Sequence, residues 1–372
     1  MILYPAEGNA LKEAVFAALA VADGGGRRLW TIPWSFSSFP ETEMRVALCL
    51  SRAKRQPRGL GRWLKQCLIR LQYNGARRLF MAHPGAVAVA WNGLGGSRQA
   101  FLMAARDAGC GTLACELAPF PDRITIDPIG VNAESTAMSV DLTGMDTDDS
   151  WRAMGQGLTA RLSRRADVDQ QPGTPPGHYL FCPLQVPSDS QVTLFAGWTG
   201  GMAGFLAALT EAVAHLPTGW HVRVKEHPSA KQSLAEALAP LRATGRVILD
   251  NATDSFTQLQ GSHGVVVLNS SMGLQAFFYD KPVVALGRAF FARPGLVTLT
   301  PDQPSLNAAF ANPATLTFDP QARAQLMNWL DQVYYPHFPG PASAMAEKLR
   351  QARNIATPPS PAAPFALTAS RP

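Results

Sequence analysis

Cysteine is scarce and unpatterned: five in 372 residues, an odd number, with none at a metal-ligand spacing. That excludes a disulfide framework and a zinc ribbon, and free thiols in a reducing cytoplasm are the expected state. No apolar run reaches the roughly 18–20 residues of a membrane span. The N-terminus does not read as a signal peptide, because the apolar stretch 16–22 is short and Glu13 interrupts its approach. The 31 Gly and 30 Pro are scattered without period, so collagen-like and low-complexity classes fall away. Nucleotide fingerprints are missing too. No G-x-G-x-x-G follows the first strand and there is no Walker A lysine, which demotes dehydrogenases and P-loop NTPases. No Asp-x-Asp motif calls for a metal, so neither a metal nor a cofactor is expected.

The most informative shortage is of negative charge. No acidic residue occurs between Glu43 and Asp107, while arginine and lysine recur from Arg45 to Arg106. The chain's net charge of +6 understates this local field. Nucleic acid, anionic lipid and a polyanionic substrate are the candidate partners, against a plain solvated basic face. Nucleic acid is not expected, since aromatics are not interleaved as stacking platforms and no named binding motif occurs.

With 47% hydrophobic and 16% charged residues the chain folds, and its length suits two domains. Helical periodicity marks 10–22, 60–73 and 98–108. Short apolar runs at 28–32, 87–91 and 111–116 read as strands. In 60–73 the apolar stripe is Leu60, Trp63, Leu64, Cys67, Leu68 and Leu71, with a basic opposite face. The pattern restarts in the second half. Strands are expected at 179–183, 221–225, 247–249, 264–268 and 282–286. Helices are expected at 205–215, 233–241, 255–260, 272–278, 320–333 and 341–353. The fold class is α/β: two Rossmann-like domains facing each other across a cleft. The expected boundaries are an N-terminal domain 1–165, a linker 166–177, a second domain 178–335, a helix 336–356 and a disordered tail 357–372.

Three polar clusters each follow a strand of the second half: Gln185 to Asp189, Lys225-Glu-His227, and Asn269-Ser270-Ser271-Met-Gly273. Strand ends of a parallel sheet converge on one crevice. Hydroxyls and backbone N–H groups at a helix start make an anion site, and Gly273 would let a phosphate approach. Lys225 and His227 would add donors. Each cluster also has a plain reading: Asn-Ser-Ser as an N-cap, Lys-Glu-His-Pro as a polar turn, Asp189 as the cap of the helix after it.

These segments carry a resemblance. LQVPSDSQV, VKEHP and NSSMGLQAFFYDKPVVALG resemble the second half of bacterial capsule polysaccharide synthesis proteins, the retaining β-Kdo transferases of the lipid-linked capsule anchor above all. CELAPFPDRITIDPIGVN is similar to that family's Glu-Asn-Gly…Asp-Pro-x-Gly-Val-Asn stretch, although here Leu117-Ala118 follow Glu116. The likeness spans roughly 80–290. It implies a GT-B fold and transfer of Kdo from CMP-Kdo, a substrate rather than a cofactor, with retention of configuration. Asp189 then matches the nucleophilic carboxylate, and Glu116 is the candidate base or an acceptor contact. His227 and Lys225 would hold the leaving phosphate, with Gln185, Asn269, Ser270, Ser271 and Gly273 around the nucleotide. The acceptor would be lipid-linked, at an anionic membrane surface. Localisation would be cytoplasmic and peripheral on the inner membrane, with a capsule assembly and transport complex as partner.

Other readings stay open. A CDP-glycerol-type glycerophosphotransferase shares the Lys-x-His-Pro and Ser-Ser-x-Gly layout but needs no nucleophile at Asp189. A non-catalytic, membrane-peripheral component of polysaccharide export would bind lipid and no nucleotide. A nucleotide-sugar epimerase needs a different acidic constellation. The 60–73 helix lies either at a membrane surface or against its own domain.

Overall fold

A computed structural model describes residues 1–54, 56–160 and 177–355. The expected linker 166–177 (save Gly177) and the tail 357–372 lie outside the described residues. Two compact units emerge, and neither is a single stretch of chain. The first comprises Met1–Glu116, Ile126–Val131 and the chain from Phe338, and the second comprises Leu117–Thr125 and Asn132–His337.

In the first unit the elements are β1 (Ile2–Pro5), α1 (Ala10–Ala22), β2 (Gly26–Leu29), α2 (Thr42–Ser51), α3 (Gly59–Met81), β3 (Val87–Trp91), α4 (Gly96–Asp107), β4 (Gly111–Leu117) and β5 (Ile124–Asp127). The sheet order is β2-β1-β3-β4-β5. Every residue of β1 and β3 is buried, as expected for strands covered on both faces. Asn9 caps α1 by accepting from the Lys12 N–H, and Val15, Phe16 and Leu19 face the core. There Phe16 meets Tyr4 at 5.2 Å between ring centroids.

The second unit holds β6 (His178–Pro183), α5 (Ser190–Phe195), α6 (Met202–Ala212), β7 (Trp220–Lys225), α7 (Ala239–Ala243), β8 (Val247–Leu249), α8 (Ser255–Gly261), β9 (Gly264–Val267), α9 (Ser271–Gln275), β10 (Val283–Ala285), β11 (Thr298–Leu299), α10 (Gln303–Ala311) and α11 (Pro320–Trp329). Its sheet runs β11-β10-β9-β6-β7-β8, with the described pairings parallel. The last helix, α12 (Ala342–Ile355), belongs to the first unit, where it packs on α1. Gly111 sits under it because a Cβ there would lie 2.8 Å from the Ala352 carbonyl oxygen.

Several expectations need correction. The strand expected at 28–32 is β2, ending at Leu29. The helix expected at 233–241 exists only as Ala239–Ala243. Its first turns are unwound because the buried Glu226 carboxylate takes hydrogen bonds from the Ser233 hydroxyl and the Leu234 N–H. β1, α2, β5, α10 and β11 were not anticipated. In α3 the helix itself was expected, but its packing face differs. Ile69, Tyr73, Ala76 and Phe80 are buried, whereas Leu60, Trp63 and Leu64 are 70%, 58% and 54% exposed. All five thiols are unpaired, and burial pushes the Cys49 thiol up to about 12.

Candidate functional site

In the second unit the chain runs from β6 to β7 and β8 on one side, then returns to β9 on the other. The connection reverses between β6 and β9, and the carboxyl ends flanking such a reversal are where open α/β sheets bind ligands. Gln185 follows β6, Glu226 and His227 follow β7, and Asn269 to Ser271 follow β9. The three sequence clusters therefore occupy adjacent strand ends at the centre of this sheet.

Gln185 and Asn269 meet directly across the reversal. The Gln185 Nε2 donates to Asn269 Oδ1 at 3.0 Å. Asn269 is 2% exposed, and its Nδ2 donates to the carbonyls of Gln191 (2.9 Å) and Phe195 (3.0 Å). This hub ties the start of α9 to the far end of α5. Gly287 makes room for it, since a Cβ there would lie 3.3 Å from Asn269 Nδ2 and 2.7 Å from the Phe195 oxygen.

Asp189 is the N-cap of α5. One carboxylate oxygen accepts from the Gln191 N–H at 2.8 Å, and the side chain is half-buried. Ser270 caps α9 in the same way, accepting from the Met272 N–H at 3.2 Å, while Ser271 is exposed. Gly273 has a packing reason: a Cβ would meet the Phe291 ring at 2.9 Å and Val267 Cγ2 at 3.1 Å.

Lys225 is 2% exposed and donates to the carbonyls of Asn251 and Thr253, both at 2.8 Å. Burial pulls its pKa down, with Asp250 and Asp254 opposing. Glu226 and Asn251 exchange two further bonds: the Glu226 N–H to Asn251 Oδ1 (2.9 Å) and Asn251 Nδ2 to Glu226 Oε2 (2.8 Å). Lys225 thus fixes the loop after β8. His227 accepts the Ser229 N–H on Nδ1 at 3.0 Å. A neutral imidazole so held carries its proton on Nε2, as a donor.

Glu116 belongs to the first unit, half-buried near the end of β4, and accepts from Asn92 Nδ2 at 3.2 Å. That sheet reverses between β1 and β3, and a charged cluster missed by sequence reasoning lies at its strand ends. Glu7 follows β1 with its carboxylate side chain 1% exposed; it takes both Arg98 Nε (2.5 Å) and Nη2 (2.6 Å), and Lys12 Nζ at 3.2 Å. Recognising Ile2–Pro5 as a strand would have flagged it. Among the described residues no group of three His, Cys, Asp or Glu is placed to hold a metal. No helix among them is long and apolar enough to cross a membrane.

Residues 159–334 match the family model described as capsule polysaccharide biosynthesis protein. The second half of this chain is therefore similar to the capsule polysaccharide biosynthesis family. It is 31% identical to Protein FixF of Sinorhizobium fredii over 237 residues, 62% of this chain and 56% of FixF. It is 28% identical to the capsule polysaccharide modification protein LipB of Neisseria meningitidis serogroup A over 130 residues, 32% of this chain and 30% of LipB. The matched region thus spans just over half of FixF and under a third of LipB. A solved structure of Thermosulfurimonas dismutans KpsC, beta Kdo 2,7 transferase, superposes with a TM-score of 0.51 at 15% identity, covering 94% of this chain and 99% of that one. That likeness establishes the fold, an α/β glycosyltransferase-like architecture of the GT-B type.

Proposed function

We propose that this chain is a glycosyltransferase of capsule assembly that transfers Kdo from CMP-Kdo to a lipid-linked acceptor with retention. The observation that carries the reading is the placement of Gln185, His227 and Asn269–Ser271 at adjacent strand ends about the reversal point of the second unit, within residues 159–334 that match the capsule polysaccharide biosynthesis model. In this reading the Asp189 carboxylate attacks the anomeric carbon as the bond to the CMP phosphate oxygen breaks. His227 Nε2 and the Ser270 and Ser271 hydroxyls receive the charge that develops on that phosphate. The acceptor hydroxyl then displaces Asp189, and its proton passes to a base, the role given to Glu116. Two inversions preserve configuration. Gln185 and Asn269 position the two loops. Lys225 acts through the loop it fixes, because its ammonium is already committed to two carbonyls.

The test is Asp189→Asn. Asparagine caps a helix about as well as aspartate, so α5 should persist and CMP-Kdo should still bind. Release of CMP in the presence of acceptor should collapse, and a Kdo adduct on the Asp189 peptide should be trapped in wild type when acceptor is withheld. Near-normal transfer by the variant would sink the nucleophile and favour a CDP-glycerol-type transfer, in which attack is at phosphorus.

A further inference from the structure

The stripe Leu60, Trp63, Leu64 and Leu68 lies on the side of α3 opposite Ile69, Tyr73, Ala76 and Phe80, since helical residues advance about 100° each. The second set is buried; the first is open to solvent, and every residue from Gly59 to Leu64 is exposed. Further along α3 the same side is covered by the segment after β2. The Ser35 N–H donates to the Leu71 carbonyl at 3.0 Å, and Gly75 has no Cβ because Pro33's carbonyl oxygen would be 2.0 Å from it. That segment itself presents Trp30, Trp34 and Phe36, which are 82%, 65% and 94% exposed. Exposed large apolar side chains thus occur both on the first turns of α3 and on the segment that covers the same side further along.

The charge around them has one sign. Arg58 and Arg62 are exposed on the same turns, and no acid occurs from residue 44 to 106. The acids just before that stretch are engaged: Glu43 with Arg70 at 2.7 Å and Glu41 with Arg77 at 3.9 Å. Exposed tryptophans and leucines beside unopposed arginines are what the interfacial zone of a bilayer accommodates, with rings at headgroup depth and guanidinium groups on lipid phosphates. A solvated basic face would not need the apolar residues.

We propose that the first turns of α3, together with the 30–36 segment, form a docking surface for an anionic lipid bilayer. Binding is measured without donor or acceptor, so it stands or falls independently of the reaction proposed above. The experiment is flotation of the full chain with vesicles of phosphatidylcholine alone and of phosphatidylcholine with phosphatidylglycerol. Wild type should partition onto the anionic vesicles, less so as salt rises, with a blue shift of tryptophan emission. Arg58→Gln with Arg62→Gln should weaken partitioning about fivefold per arginine. Leu60→Ser with Trp63→Ser and Leu64→Ser should weaken it about tenfold or more. Both variants alter exposed side chains and should keep wild-type circular dichroism and melting. Equal partitioning onto both vesicle types, or an unchanged partition in either variant, would overturn the proposal. So would a wild-type dimer in light scattering that the apolar variant disperses, because the stripe would then belong to a second copy.

Discussion

Asn269 offers the sharpest test of how the second unit is held together. Its amide is used on both sides: Oδ1 accepts from Gln185, and Nδ2 donates to two carbonyls at 2.9 and 3.0 Å. Asn269→Ala deletes all three bonds. The Phe195 oxygen keeps a second partner, the Arg288 N–H at 2.8 Å, so it is not orphaned. The net loss should be about 2–4 kcal/mol, roughly one per bond plus the desolvated Gln185 amide. Asn269→Asp is nearly isosteric, yet it should cost as much or more, about 3–5 kcal/mol. It replaces the amide donor with a buried anion that two carbonyl oxygens repel.

The two variants separate by pH. Burial and the facing carbonyls raise the folded-state pKa of the introduced carboxyl above its unfolded value, so the folded form holds the extra proton. Its destabilisation is therefore greatest near neutral pH and shrinks as the pH falls through that raised pKa, where the acid O–H can donate to a carbonyl. Urea unfolding at about pH 7 and about pH 5 reads both effects from midpoints, provided the slopes match wild type. An Asn269→Asp midpoint within about 0.5 kcal/mol of wild type at neutral pH would refute the hub.

Gly273→Ala should lower stability by about 1–3 kcal/mol through overpacking against Phe291, and Phe291→Leu should restore part of it; unchanged melting with impaired nucleotide binding would instead assign Gly273 to ligand approach. Lys348, 5% exposed in α12, has its pKa pulled down to about 8 by burial, against Asp127 and Glu347. Above that pH the folded state releases a proton that the unfolded chain keeps until roughly pH 10.4. Wild type should then gain roughly 2–3 kcal/mol relative to Lys348→Met between about pH 7.5 and about pH 10. Melting curves that keep a constant gap across that range would contradict this.

The parts of the fold that were legible in the sequence are those where local and tertiary demands agree. VAVAW, YLFCP and GVVV are central strands buried on both faces, so continuous apolar runs suffice to mark them. β1 is four residues long and ends in proline, too little signal on its own, and β11 is only two. The segment 233–238 has helical composition, but the Glu226 carboxylate captures its backbone and hydroxyl donors, and a tertiary bond outcompetes a weak local preference. α3 shows a different limit. Periodicity revealed a stripe without saying which side the core would take, and the core took Tyr73 and Phe80.

The polar clusters repeat that lesson at the strand ends. Asn269 and Lys225 stand out in sequence as candidate ligand donors, yet each is at least nine-tenths buried and engaged with main-chain or amide groups of a neighbouring loop. Their spacing reflects the need to anchor loops that leave adjacent parallel strands, because buried main-chain groups in those loops must find partners. What is left closer to solvent on those same loops is His227, Ser270, Ser271 and Asp189. The engaged residues make the strand ends rigid, and the exposed ones are then held by a framework that does not itself need a ligand to form. The plain reading and the functional reading of each motif are therefore divided between neighbouring residues rather than opposed. Substitutions within one motif should separate accordingly, with Asn269 read in stability and Asp189 in transfer.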